Sequence, residues 1–295
     1  MKGIFSRNSC LAQLALLLGA VAIGFFFASV ATVVATIAFG GGDDFSVAFL
    51  QAAQFASSVL VFLLPALFVA WICSEHPVKF LNIRSFPDVR TLALVVAATL
   101  LLSLAVSLTG WLNEQMRLPE FLAPIERMMR EAEDASAAMV AKMLSQEGLL
   151  PLLVNIIVIA ATAAVCEEFL FRGTLTSILM RKISSTHTVV WTVAIVFSAI
   201  HFQFYGFVPR MLLGALLGYL LVWTRNIWAP IVAHFVNNAV AVVGMSDKRL
   251  KDNAFFAEEL PADDAGWFVA VAAVGLIAAV WCLRTVRNLH KPANA

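Results

Sequence analysis

Three short polar groups interrupt the apolar stretches of this chain, and their residue types are those of hydrolytic chemistry. They are Cys166-Glu167-Glu168-Phe169-Leu170-Phe171-Arg172-Gly173, Phe197-Ser198-Ala199-Ile200-His201 and His234-Phe235-Val236-Asn237-Asn238. On a helix Glu168 and Arg172 stand four apart and can pair across one turn. Glu167 is rotated by about 100° from Glu168 and points to a different face. One carboxylate is neutralised locally and the other is left for another task. His234 and Asn238 are also four apart and share a helical face. An ionisable group at the bilayer centre costs about 2.5–3.5 kcal/mol on insertion scales. Such groups persist mainly where they pair, line a cavity or do chemistry.

A carboxylate with two imidazoles and an amide can hold and activate a water, directly or through a metal, and stabilise an oxyanion. Glu167 is then the general base, and His201, His234 and Asn238 orient the water or bind the developing negative charge. Glu167, His201 and His234 also make a possible zinc-ligand set with an open position for water. The H-E-x-x-H pattern of soluble zinc peptidases is absent, so any metal would be held by ligands from separate helices.

Counting residues shows that these groups can meet. Glu167 lies fourteen residues before Arg181, and His201 lies fourteen after His187. If 181–187 is the turn of a helical hairpin, both residues sit about 20 Å from it, at 1.5 Å rise per residue. The span that restarts near Asn226 then puts His234 about 12 Å deep and Asn238 about 18 Å deep.

The elements that must position them are membrane helices. Of 295 residues 61% are apolar and only 13% are charged, against about 45–50% and 25% in soluble domains. This excludes a soluble enzyme, a disordered chain and a secreted disulfide scaffold. Apolar runs long enough for a bilayer fall at 11–39, 46–73, 91–112, 149–180, 208–224, 228–245 and 266–284, with a shorter one at 188–202. The expectation is an all-α polytopic membrane protein of about eight transmembrane helices. It is one membrane domain over residues 1–295, with its motif-bearing core at 149–245. Leu11 to Phe39 is too long for a signal-peptide h-region and reads as the first span. Gly40-Gly41-Gly42-Asp43-Asp44 reads as the first turn.

Segment 113–147 differs. Met128, Met129, Ala132, Met139, Met143 and Leu144 recur at helical spacing among charges, which suggests an amphipathic interfacial helix that packs as a lid on the bundle. Residues 246–265 form a second polar loop. Eleven Lys and Arg residues fall on the face that holds both termini and eight on the other, which favours cytoplasmic termini. A net charge of +1 gives no footprint for nucleic acid. The dispersed Cys10, Cys73, Cys166 and Cys282 read as buried hydrophobes. His76, His187 and His290 read as surface residues, and Arg210 as snorkelling to the interface, with binding of a substrate carboxylate as its other reading. Gly214 and Gly218, in G-A-L-L-G, form a small-residue face for close helix packing.

The three polar groups resemble the CPBP family of intramembrane peptidases, the CAAX-protease and bacteriocin-processing group. Its motifs E-E-x-x-x-R, F-x-x-x-H and H-x-x-x-N are matched in order and spacing by Glu167 to Arg172, Phe197 to His201 and His234 to Asn238. The resemblance covers about a third of the chain. It implies an eight-helix membrane endopeptidase in which Glu167 activates water, helped by His201. His234 and Asn238 would stabilise the oxyanion or bind metal, and Glu168 and Arg172 would hold local structure, with the substrate chain as a further option. A zinc ion and a metal-free glutamate mechanism are both compatible with the family. Eukaryotic members act on prenylated CAAX proteins. This chain looks bacterial, and its substrate would be a membrane-embedded peptide, a signal fragment or a lipidated protein, with the lipid bilayer as its other partner. The competing readings are a non-catalytic scaffold or bacteriocin-immunity protein, and a secondary transporter. The transporter reading lacks the inverted repeats and broken helices expected of that class.

Overall fold

A computed structural model describes residues 2–38, 45–247, 250 and 265–291. The glycine turn at 40–44 and most of the polar loop 246–265 lie outside the described residues. Among the described residues there are helices and turns but no strands. Seven helices are long and apolar enough to cross a membrane, and the chain is a polytopic membrane protein. They are α1 (Cys10–Ala38), α2 (Val47–Cys73), α3 (Val89–Glu114), α5 (Leu149–Leu179), α7 (Phe207–Thr224), α8 (Trp228–Ser246) and α9 (Ala265–Leu289). Helix α4 (Ala123–Met143) is amphipathic, and α6 (Thr186–Ala199) is the short apolar one.

The eighth expected span is therefore a partial one. At 1.5 Å per residue, the 14 residues of α6 reach about 21 Å, short of the roughly 30 Å of a hydrocarbon core. The helix stops because Phe202 takes a left-handed conformation, φ 53°, and turns the chain away. His201 sits in that turn, just beyond the helix end.

Helix α5 is the centre of the arrangement. It packs against α2 and α8, while α6 and α7 form an antiparallel pair beside it and α9 lies along α3. The α6–α7 contact is close because Gly214 and Gly218 leave room. A Cβ on Gly214 would lie 3.1 Å from Ala194 Cα, and one on Gly218 would lie 2.9 Å from Val190 Cγ1. In a bilayer such backbone approach replaces the hydrophobic drive that water would supply.

Helix α5 is not regular. The backbone N–H of Thr162 bonds Ile157 O, and that of Thr176 bonds Phe171 O. These are five-residue steps, so the helix carries two widened turns. The threonine hydroxyls donate to the same two carbonyls, at 2.9 and 2.8 Å. Widened turns recur at functional sites, and here they bracket Glu167 and Glu168.

The end of α4 is anchored by Asn155 of α5. Its amide donates to Met143 O at 3.1 Å and accepts from Gln51 of α2 at 2.9 Å. Met143 and Leu144 are buried, but Met128 and Met139 are exposed. Only the end of the expected lid stripe is packed under the bundle.

Candidate active site

Arg172 is fully buried, a position tolerable only if its charge is paired. Its Nη1 donates to Glu168 Oε1 at 2.7 Å, and its Nη2 donates to Gly214 O of α7 at 2.9 Å. Its guanidinium carbon lies 4.6 Å from the centroid of the Phe197 ring. The expected one-turn pair is present, and it also ties α5 to α6 and α7.

Glu168 does more than neutralise Arg172. The same oxygen, Oε1, accepts from His234 Nδ1 at 2.9 Å. With Nδ1–H directed at a carboxylate, His234 turns Nε2 toward Glu167, whose Oε2 is 3.9 Å away. The imidazole thus stands between two carboxylates presented by successive residues of α5. Glu167 is the more accessible one, with 13% of its side chain exposed against none for Glu168.

His201 joins through an aromatic hub. The Phe197 ring meets His201 edge-to-face at 5.2 Å and His234 at 5.8 Å, and Phe171 packs on it at 5.2 Å. Because a carbonyl only accepts, the 2.8 Å contact of His201 Nδ1 with Phe197 O makes Nδ1 the donor. That leaves Nε2 of the neutral ring as an acceptor. Asn238 lies half-buried one turn beyond His234, and its Oδ1 accepts from Asn237 Nδ2 at 3.2 Å. The structure therefore brings together Glu167, Glu168, Arg172 and His234 by polar contact and His201 by ring packing. Asn238 shares the helix of His234.

Among the described residues no three His, Cys, Asp or Glu side chains converge as a metal-ligand group. Glu167, His201 and His234 are not assembled into one.

One participant escaped the sequence reading. Phe197 had no role beyond its place in F-x-x-x-H, yet it contacts both histidines and Arg172. Arg210 does not only snorkel. It hydrogen-bonds Gln203 Oε1.

An apolar cleft of about 1120 Å³ runs between α1, α2, α5 and α6. Its walls include Leu18, Phe25 and Phe62, and it reaches Phe171, Ile200 and Phe202. Ile200 and Phe202 flank His201, so the cleft ends beside the polar cluster.

Residues 149–240 match the Rce1-like family, described as type II CAAX prenyl endopeptidase Rce1-like. All three polar groups lie inside the match, and the family is one of proteases that act on membrane-associated substrates. Over 90 residues the chain is 34% identical to YpbD, an uncharacterized protein of Bacillus subtilis (strain 168). That stretch is 29% of this chain and 43% of the relative, so the match spans less than half of the relative's length. No solved structure matches the chain.

Proposed function

We propose that this protein is an intramembrane endopeptidase in which Glu167 activates water against a peptide bond of a membrane-embedded or lipid-linked substrate. The observation that carries the reading is His234, held on Glu168 at 2.9 Å with Nε2 facing Glu167 Oε2 at 3.9 Å. A gap of 3.9 Å is too long for a direct hydrogen bond. A water about 2.8 Å from each atom closes a triangle on that base, bonded to both groups at once.

The steps follow from these groups. Glu167 takes a proton from the water, and the oxygen attacks the carbonyl carbon while the carbonyl electrons move to oxygen. His201 Nε2 accepts a hydrogen bond from the remaining O–H, whose proton stays on the attacking oxygen, and so fixes the lone pair's direction. The oxyanion is met by Asn238 Nδ2–H and, in its doubly protonated form, by His234 Nε2–H. Collapse breaks the C–N bond, and the proton held by Glu167 passes to the leaving nitrogen. Glu168 orients His234 as the aspartate of a hydrolase triad orients its histidine, and Arg172 holds Glu168 in place through their 2.7 Å pair.

The apolar cleft supports a substrate with a hydrocarbon portion, a lipid chain or an apolar helix, that enters from the bilayer and leaves the peptide beside His201. If α6 and the 200–206 segment together make one crossing, both termini share a face, and its excess of Lys and Arg supports a cytoplasmic N-terminus and C-terminus. The test is cleavage of a library of lipidated peptides by the purified protein and by Glu167→Gln. Cleavage that disappears in the variant supports the reading. No cleavage by either well-folded protein would shift it to a scaffold.

A further inference from the structure

The segment that follows His201 is fastened far more heavily than a surface connection requires. Phe202 is 80% exposed and holds φ 53°. An aromatic residue pays for that left-handed conformation, and it persists only when its surroundings over-determine it. Three helices supply the fastening. Asn113, 2% exposed at the end of α3, donates from Nδ2 to Phe204 O at 2.9 Å and accepts at Oδ1 from Val208 N at 2.8 Å. Ser198 of α6 donates to Phe207 O at 2.7 Å.

The third fastening comes from the amphipathic helix α4 and closes on one side chain. Tyr205 donates its hydroxyl to Glu126 Oε1 at 2.7 Å, and its backbone N–H reaches Glu133 Oε2 at 3.3 Å. The Arg130 guanidinium carbon lies 3.9 Å over its ring. Glu126 is itself held by Arg130 at 3.5 Å, Arg117 at 3.6 Å and the backbone N–H of Leu118 at 2.9 Å. Tyr205 is therefore gripped by edge, face and backbone, four residues after His201.

We propose that Tyr205 is a positioning residue for His201. Bound to Glu126 of α4, it holds the 202–208 segment in its strained path and so keeps the His201 ring on Phe197. The inference rests on His201 acting in the proposed hydrolysis. Tyr205 touches no reacting atom and works through the backbone between them. Without the latch, the left-handed Phe202 relaxes and His201 loses its setting while the bundle stays intact.

The experiment uses the full chain in proteoliposomes with a cleavable lipidated peptide, and compares Tyr205→Phe, Glu126→Ala, their combination and Glu126→Gln. A hydrogen bond to a charged group is worth enough to expect kcat to fall about tenfold in each of the first two. KM stays within about twofold and the unfolding temperature is unchanged. The combination falls no further than either single change, and Glu126→Gln, which still offers an oxygen to the hydroxyl, recovers most of the rate. Hydrogen exchange over residues 200–207, read by mass spectrometry, speeds up in Tyr205→Phe. Wild-type kcat in Tyr205→Phe, or a loss that follows the unfolding temperature, overturns the inference. If the wild type cleaves nothing, the proteolytic reading fails and the latch is judged on exchange alone. Faster exchange in Tyr205→Phe then supports the latch, and exchange like the wild type's overturns it.

Discussion

Glu168 Oε1 accepts from His234 Nδ1 at 2.9 Å, across 66 residues of chain. The carboxylate that a one-turn spacing assigns to Arg172 alone also sets the direction of the imidazole, so charge balance and catalytic geometry share one oxygen. Arg172, Glu168 and His234 then behave as a unit, and single changes within it should not be additive.

Arg172→Ala leaves Glu168 buried and unpaired, and breaking one side of a buried pair costs about 3–5 kcal/mol. Activity should fall with stability. The double change Glu168→Gln with Arg172→Met removes both charges and should recover much of the unfolding temperature, but not the rate, because His234 loses its charged acceptor. Thermal unfolding of the wild type and the two variants in one detergent checks this. A double variant no more stable than Arg172→Ala would break the pairing argument.

Phe197→Ala empties the space between both histidines, Phe171 and Arg172. Truncating a buried phenylalanine costs about 3–5 kcal/mol, with a matching drop in unfolding temperature. Phe197→Leu keeps most of the volume and loses only the ring faces. It should retain most of the stability and still lose kcat. Equal kcat in Phe197→Leu and wild type would show that packing volume is all the ring supplies.

Because Glu167, His201 and His234 are not arranged as a ligand set, dialysis against a chelator should leave kcat unchanged, and added zinc should not raise it. Loss of rate on chelation, restored by zinc alone, would contradict the metal-free route.

The Tyr205 latch has a pH limit. Burial raises the Tyr205 hydroxyl above its ordinary value, and the hydrogen bond to Glu126 raises it further, against a lowering by Arg130. A raised pKa in an acid that is neutral when protonated means the folded state favours the neutral form. The latch contribution is thus fully present below the unfolded tyrosine value near 10. It is lost as pH rises through the higher folded value, where a phenolate would face the Glu126 and Glu133 carboxylates. Exchange at 200–207 should be flat in latch-dependent protection through neutral pH and should loosen only above about pH 10. Loosening near pH 7 would point to another group.

Much of the site was legible from short spacings. The E-E-x-x-x-R interval predicts the Glu168–Arg172 pair because both residues lie on one helix. What spacing cannot convey is contact between helices. Nothing local marks Glu168 as the partner of His234, or Phe197 as the ring between two histidines. The widened turns of α5 break the 3.6-residue period, and only Thr162 and Thr176, each able to bond a carbonyl five residues back, hint at them. The run at 188–202 reads as short from the sequence, but nothing in it marks that the backbone turns left-handed at Phe202. Tyr205 is one of two tyrosines in the chain, but its grip on α4 depends on charges 72 and 79 residues away.

The most direct test is hydrolysis of lipidated peptides by purified wild-type protein and by Glu167→Gln, with unfolding temperatures measured on the same samples. General acid–base groups contribute about 10²–10⁴-fold. The predicted result is a loss of that size in Glu167→Gln with an unchanged unfolding temperature. Equal cleavage by both proteins would contradict the assignment of Glu167 as the base.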